Sequence, residues 1–430
     1  RVRSSAASDV YKRQVYRIMK KDNPAMTRQI LDGYFYDNRA GVLDKAIARK
    51  LYGENMLHSV SRLETYSGCA YQFFLKYGLK LAKREEYKVE SNNIGTILHA
   101  VMEQFFKQVK DGTIHPDSMT KEQLEERVES ITLQAAKEEN ETIFESSYRN
   151  RHQLEVLVRI AKRSVANLCR HLEQGGMEPA YFEKRFSPED ALNYVRMALA
   201  EDMQMELNGI VDRVDIRETE DAVYLKVIDY KSGSKDIDFV KMYEGKQLQL
   251  TVYMSVMIEL LQRQYPDKII IPTGMYYYRI YDPIIEETEE EKLEQKRIES
   301  SRLTGLVNRE EQSLTLMDKK TGLVTPVKYK KDGELDSRNS ALVSTEDLMQ
   351  ISGFVRNKMI DIGENIIRGQ IEMNPEKGEI NSPCNFCDYK SVCHFESGLG
   401  GNAYRIGSKL DKQEAKDIIL NKEEKGGENA

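Results

Sequence analysis

Met205-Glu206-Leu207-Asn208-Gly209-Ile210-Val211-Asp212-Arg213-Val214-Asp215, followed by Tyr224-Leu225-Lys226-Val227-Ile228-Asp229-Tyr230-Lys231, is the stretch on which the fold turns. The second segment roughly alternates apolar and polar residues and is rich in β-branched and aromatic types, which predicts a strand. The acidic Glu218-Thr219-Glu220-Asp221 between them predicts a hairpin turn. An antiparallel pair would bring Asp212 and Asp229 close together, with Lys231 on the same face as Asp229. Two carboxylates so close repel unless a cation lies between them, and hard oxygen ligands of this kind suit Mg²⁺. A lysine beside them can position a water or steady charge developing on a phosphate. Read alone, the D-x16-D-x-K spacing equally suits a solvated hairpin face.

Working outward, Gly95-Thr96-Ile97-Leu98-His99 opens an amphipathic run to Phe106 that predicts a helix. A lone histidine in such a run is ordinarily a satisfied core residue. After the strand, Gln247-Leu248-Gln249-Leu250-Thr251-Val252-Tyr253 begins a second apolar helix, in which Gln249 and Tyr253 share a face. Helix packing alone accounts for either residue. What singles these pieces out is their order: G-x-x-x-H, then D-R-x-D, then D-Y-K, then Q-L-Q-L-x-x-Y.

The cysteines are an independent signal. Of Cys69, Cys169, Cys384, Cys387 and Cys393, the last three form C-x2-C-x5-C. A C-x-x-C turn points two sulfurs at one centre, so this loop predicts a metal site, with Cys69 as the leading fourth ligand. Cys169 lies in an apolar helical stretch and reads as a buried thiol. Spacing fits zinc and an iron–sulfur cluster equally, since both use four cysteines. An odd cysteine count and no signal peptide argue against disulfides.

Together these residues resemble the nuclease domain of AddB-type helicase–nuclease proteins, in the RecB-like branch of the PD-(D/E)xK nucleases. The most specific match is Ser59-Val60-Ser61-Arg62-Leu63-Glu64-Thr65-Tyr66-Ser67-Gly68-Cys69, similar to the family motif in which the first cluster cysteine follows S-x-S-R-L-E-x-Y. Ala70 stands where the family usually has proline. The resemblance implies an α/β fold: a restriction-endonuclease-like mixed central sheet flanked by helices, with helical insertions and an iron–sulfur staple. It implies that His99, Asp212, Asp229 and the Tyr230 carbonyl hold the catalytic Mg²⁺. Lys231 would orient water, Gln249 would support the site, and Tyr253 would lie along the DNA path. Cys69, Cys384, Cys387 and Cys393 would bind a [4Fe–4S] cluster, closing a loop of about 315 residues and restricting the unfolded chain by at most about 5 kcal/mol. The family acts on the 5′-ended strand of an unwound duplex end, with the AddA motor as heterodimer partner, in recombinational repair. A stand-alone nuclease of the CRISPR-adaptation type and a non-catalytic DNA-binding scaffold are the rival readings. The length of the chain and the Ser59–Tyr66 motif disfavour the first, and the complete His99, Asp212, Asp229, Lys231 set the second.

Composition bounds the rest. The chain has 430 residues and net charge −6, so bulk positive charge does not hold it to DNA. Basic residues are grouped locally: Arg149, Arg151, Arg159, Lys162, Arg163 and Arg170 on one helical stretch, and Lys226, Lys231, Lys235, Lys241 and Lys246 around the second strand. Arg159 and Arg163 are the candidate phosphate contacts on the first. No G-x-x-x-x-G-K-[ST] loop supports an ATP motor. The absence of an apolar span or targeting segment predicts a cytoplasmic protein without a membrane partner.

Residues 1–14 resemble a stretch that recurs at the ends of translated sequencing fragments, and 15–57 read as the tail of a preceding helicase-like region. The nuclease domain is expected over 58–400, mostly helical from 69 to about 185 with a break near Lys110-Asp111-Gly112. Glu286–Glu299 reads as exposed helix or flexible, and about 284–345 as an insertion with a turn at Asp332-Gly333. Asp347–Gly369 predicts an amphipathic helix, and 401–430 a polar, frayed tail.

Overall fold

One strand of 15 residues, Gln204–Glu218, is long enough to take different partners along its two halves, and the sheet is built around it. The computed structural model describes residues 2–35, 40–84, 88–200, 202–283, 285–287, 289–319, 322–327, 330, 335, 341–377, 382–398 and 402–421. Among these, the strands are β1 (Asn55–Ser59), β2 (Glu178–Phe186), β3 (Arg196–Ala198), β4 (Gln204–Glu218), β5 (Ala222–Lys231), β6 (Ile269–Arg279), β7 (Thr304–Asn308) and β8 (Leu342–Val343). They run in the order β1-β4-β5-β6-β7-β8, with β2 and β3 also paired to β4. The first half of β4 pairs parallel with β1 and antiparallel with β3, and the second half pairs antiparallel with β2 and β5. Gly209 marks the change of partner: a Cβ there would meet the Phe186 ring at 2.5 Å. β5 and β6 are parallel, so the chain must cross over between them, and the Gln249–Gln264 helix makes that crossing. The architecture is α/β, a mixed sheet with helices on both faces.

Alternate residues of β5 enter two separate cores, as the two-residue strand period requires. Val223, Leu225 and Val227 pack with the helices Val60–Gly68, Gln249–Gln264 and Thr345–Ile367. Ala222, Tyr224, Ile228 and Tyr230 pack with Ser91–Lys110, Lys121–Glu145 and Tyr148–Gln174. Because both faces are covered, every β5 residue except Lys231 is buried, including the polar Lys226 and Asp229. Lys226 therefore cannot serve as one of the surface lysines around this strand.

Several boundaries differ from the sequence reading. The chain becomes a strand at Glu178, before the expected end of the helical region near 185. Phe182 and Phe186, four apart, imitate a helical stripe although they lie on a strand. The stretch read as an insertion supplies β7 and β8 to the sheet and Val324 and Val327 to the core. Asp332-Gly333 lies outside the described residues. Glu290–Ser300 is a helix with no buried residue. Residues expected to fray form the helix Lys412–Ile419, because Ala415, Ile419 and Leu420 supply an apolar edge that seats in the core.

Below the hairpin, on the side of the second core, lies a buried charge cluster. Arg213 donates to both Asp215 oxygens at 2.6 and 3.1 Å, and Lys226 Nζ lies 2.7 Å from the same carboxylate. The Arg213 guanidinium also sits 4.3 Å from the Phe106 ring centre. Burial alone would raise the Asp215 pKa, but Arg213 and Lys226 outweigh it and hold it below the usual carboxylate value. Removing the one anion would leave two buried cations uncompensated. Asp215→Ala should destabilise the protein by about 3–5 kcal/mol, read from urea denaturation midpoints.

Candidate active site

The β4–β5 register pairs Arg213 with Ile228, which sets Asp212 opposite Asp229 at the next step along the hairpin. Asp212 Oδ2 accepts a 2.7 Å hydrogen bond from the Tyr230 amide. Asp229 is wholly buried, and its Oδ2 is in ion-pair contact with Lys231 Nζ. No hydrogen-bond donor reaches Asp229 Oδ1. The expected convergence of the two aspartates and the lysine is thus present.

His99 projects from the Ser91–Lys110 helix into the same place. Its Nδ1 lies 3.2 Å from Glu183 Oε1 and 3.6 Å from Asp212 Oδ2, and its ring meets Tyr230 edge-on at 5.6 Å. It is a site residue rather than a core histidine. Glu183 escaped the sequence reading. It sits on β2 at φ +43, a left-handed backbone conformation that a non-glycine residue adopts at a cost of order 1–3 kcal/mol. Ligand atoms of His99, Glu183 and Asp212 all fall within 4.8 Å of one another, a spacing one cation can bridge.

The electrostatics record the crowding. Burial, then the Asp229 charge, raise the Asp212 pKa from 3.8 to about 7, against the lowering effect of His99. Burial would lower the pKa of His99, but its bond to Glu183 and the charges of Asp212, Glu183 and Asp229 outweigh that and raise it.

The helix after β5 starts at Gln249, not Gln247. Gln247 is locked in the preceding loop, donating to Asp236 O and Tyr277 Oη and accepting from the Asp238 amide. Gln249 Nε2 donates to Tyr253 Oη at 2.7 Å, so the two do share a face. Tyr253 is only 6% exposed, with its ring edge-on to Phe186, so it holds Gln249 rather than offering a face for stacking on DNA. Arg159 and Arg163 sit together on the Tyr148–Gln174 helix, but both pair with Asp282, which cancels one of their two charges. Lys162 and Arg170 pair with Glu129 and Glu294, and Lys246 with Glu244 and Glu376. The positive stripe is therefore weaker than sequence suggests.

Cys69, Cys384, Cys387 and Cys393 line one cleft of about 310 Å³, together with Met373, Phe395 and Tyr404. Burial, with Cys384 and Cys393 adding to it, pushes the Cys69 thiol up to about 11. Cys169 is buried in the second core, away from this cleft. Among the described residues no helix is long and apolar enough to cross a membrane.

The raised pKa values fix a pH dependence. A folded protein that binds protons more tightly than the unfolded chain loses stability as pH rises. For Asp212 the loss runs from about pH 4 to about 7, and for His99 it comes as pH passes its raised value. Metal-free protein should melt at a lower temperature at pH 8 than at pH 5.5, and added Mg²⁺ should restore more at pH 8. Calorimetry in both buffers measures this.

Known proteins share this arrangement. The profile of the PD-(D/E)XK nuclease superfamily matches residues 58–394. A protein of Lachnoclostridium phytofermentans, one of the two subunits of an ATP-dependent helicase/deoxyribonuclease, is 34% identical over 410 residues, covering 92% of this chain and 34% of that protein. The proteins of the same name from Clostridium tetani and Clostridioides difficile are each 30% identical, over 391 and 417 residues. The chain spans about a third of the length of these relatives, 34% and 36% for the latter two. With a profile match that begins inside β1 and runs through the last cysteine of the cleft, the chain belongs to the PD-(D/E)XK nuclease superfamily.

Proposed function

We propose that the chain is a Mg²⁺-dependent deoxyribonuclease that trims the 5′-ended strand of an unwound duplex end, acting as an exonuclease within a helicase–nuclease that prepares breaks for recombinational repair. The observation that carries this is the apposition of Asp212 and Asp229 beside His99 and Lys231. Its relatives are named for helicase and deoxyribonuclease activity, which supports a single-stranded DNA substrate and an AddA-type motor partner in a heterodimer.

The donor set fits a hard divalent cation. Asp229 Oδ1 is buried without a hydrogen-bond donor, and carboxylate oxygens of Asp212 and Glu183 lie beside an imidazole nitrogen. His99, Asp212, Asp229 and the Tyr230 carbonyl would hold the ion, with Glu183 as an added oxygen donor. Bound there, Mg²⁺ would neutralise the scissile phosphate and make water easier to deprotonate. Lys231, fixed against Asp229, aims its ammonium where the attacking water and a phosphate oxygen would meet. Gln249, tied to Tyr253, orients the same water or the phosphate. Arg159 and Arg163 keep one net positive charge for phosphate contact.

The cysteine cleft would hold a [4Fe–4S] cluster. Spacing favours it over one zinc ion. Among the described residues, no three cysteine sulfurs lie within 4.8 Å of one another. A tetrahedral zinc about 2.3 Å from each sulfur would draw them to roughly 3.8 Å.

Digestion of end-labelled single-stranded DNA should require Mg²⁺ and fall by at least about a thousandfold in Asp229→Ala. Glu183→Gln should raise the Mg²⁺ concentration needed for half-maximal rate. Metal-independent digestion, or full activity in Asp229→Ala, defeats the nuclease reading. Cys387→Ala should lose iron, lower the melting temperature and weaken binding to duplex ends, while retaining all the Mg²⁺ ligands. Unchanged melting and binding would count against a structural cluster.

A further inference from the structure

The helix Val60–Gly68 runs directly into Cys69 and packs beneath the loop that leads to Gln249. Its closeness there is measurable: a Cβ on Gly245, at φ +79, would meet Ser67 Oγ at 2.7 Å. One carboxylate crosses the gap. Glu64 Oε1 accepts from the Leu248 amide at 2.7 Å and from the Gln249 amide at 3.2 Å, across 184 and 185 residues of sequence. These are orphan donors at the start of the Gln249–Gln264 helix, and Leu248, at the cap position, has no side-chain acceptor of its own. Glu64 supplies from a distance what a serine or aspartate supplies locally.

The charges that face Glu64 are Lys235 and Lys231, with Tyr253 and Tyr277 nearby. The carboxylate is therefore at the margin of the candidate active site. The other end of its helix is clasped separately. Tyr66 Oη donates to Gln370 O at 3.1 Å, Arg405 donates to Ser67 O, and Gly68 O accepts from the Glu376 amide at 3.4 Å. Neither Glu64 nor these contacts touch the four metal-binding candidates on β4, β5 and the Ser91–Lys110 helix.

We propose that Glu64 is a positioning residue: it caps the Gln249 helix from the cysteine-bearing helix, and so fixes where Gln249 stands relative to Asp229 and Lys231. The cap itself stands on the hydrogen bonds; its effect on catalysis rests on the nuclease reading. Two conservative variants separate reach from charge. Glu64→Asp keeps the charge but is one methylene too short, and Glu64→Gln keeps a carbonyl oxygen at full reach.

Amide hydrogen exchange and kinetics on the full chain give the test. In Glu64→Asp, exchange at Leu248 and Gln249 should quicken by about tenfold. Protection in β4 and β5, iron content and Mg²⁺ affinity should match the parent. DNA cleavage should lose about ten- to a hundredfold in kcat with little change in KM. Glu64→Gln should recover most of both losses. Unaltered exchange in Glu64→Asp overturns the proposal, as does a Glu64→Gln variant as loose as Glu64→Asp. If exchange responds as expected but the parent itself cuts no DNA, the cap stands and the nuclease reading falls.

Discussion

Two carboxylates held face to face in a dry place are the constraint around which this protein is organised. Opposed residues on neighbouring antiparallel strands have Cβ atoms about 5 Å apart, where two like charges in an effective dielectric of about 20 repel by roughly 3 kcal/mol. Asp212 and Asp229 occupy such a pair, and the rise of the Asp212 pKa to about 7 records the cost. A hairpin on its own would splay or rotate these side chains into water. Here β5 lies between β4 and β6, with helices over both faces, so neither aspartate can retreat.

The site draws on both sides of the sheet. His99 comes from a helix whose apolar residues fill one core, and Gln249 from a helix whose apolar residues fill the other. Tyr230 links the layers: its amide donates to Asp212, while its ring packs against His99 and Tyr278. Beneath it, Arg213, Asp215 and Lys226 form a buried cluster of net charge +1, and such a cluster is stable only with its geometry kept. Strain and unpaired charge at the site are thus set against a rigid, fully paired layer one residue away along the same strands.

Much of this was legible in the sequence because it depends on strand and helix period. The hairpin, the opposition of Asp212 and Asp229, the reach of Lys231 and the i, i+4 pair Gln249 and Tyr253 all follow from local spacing. Glu183 does not. It stands 84 residues from His99 in sequence and 29 from Asp212, on a strand whose two phenylalanines mimic a helix, and no motif marks it. Buried partners were equally invisible. Asp282, Glu129 and Glu294 neutralise a helix that looked basic, and only tertiary structure brings them to it. The β7–β8 segment and the Lys412–Ile419 helix were misjudged because a high charge density masks a few well-placed apolar residues.

The cysteine loop poses a different physical problem from the rest of the fold. The short helices Pro383–Phe386 and Lys390–Cys393 bury none of their residues, and Phe386 is 81% exposed. What ties them down without the thiols is slight: Tyr389 Oη to Leu81 O at 2.9 Å and Lys83 to Asp388 at 3.2 Å, both exposed. Exposed contacts of this kind contribute about 1 kcal/mol or less each, too little to order a loop by themselves. The hydrophobic effect cannot hold this segment in place, since there is almost nothing in it to bury. Yet three of its side chains line one cleft with Cys69, which belongs to a helix already seated in the first core. A cross-link through those four sulfurs is the interaction with enough strength to fix the loop, and it would act where packing has least to offer.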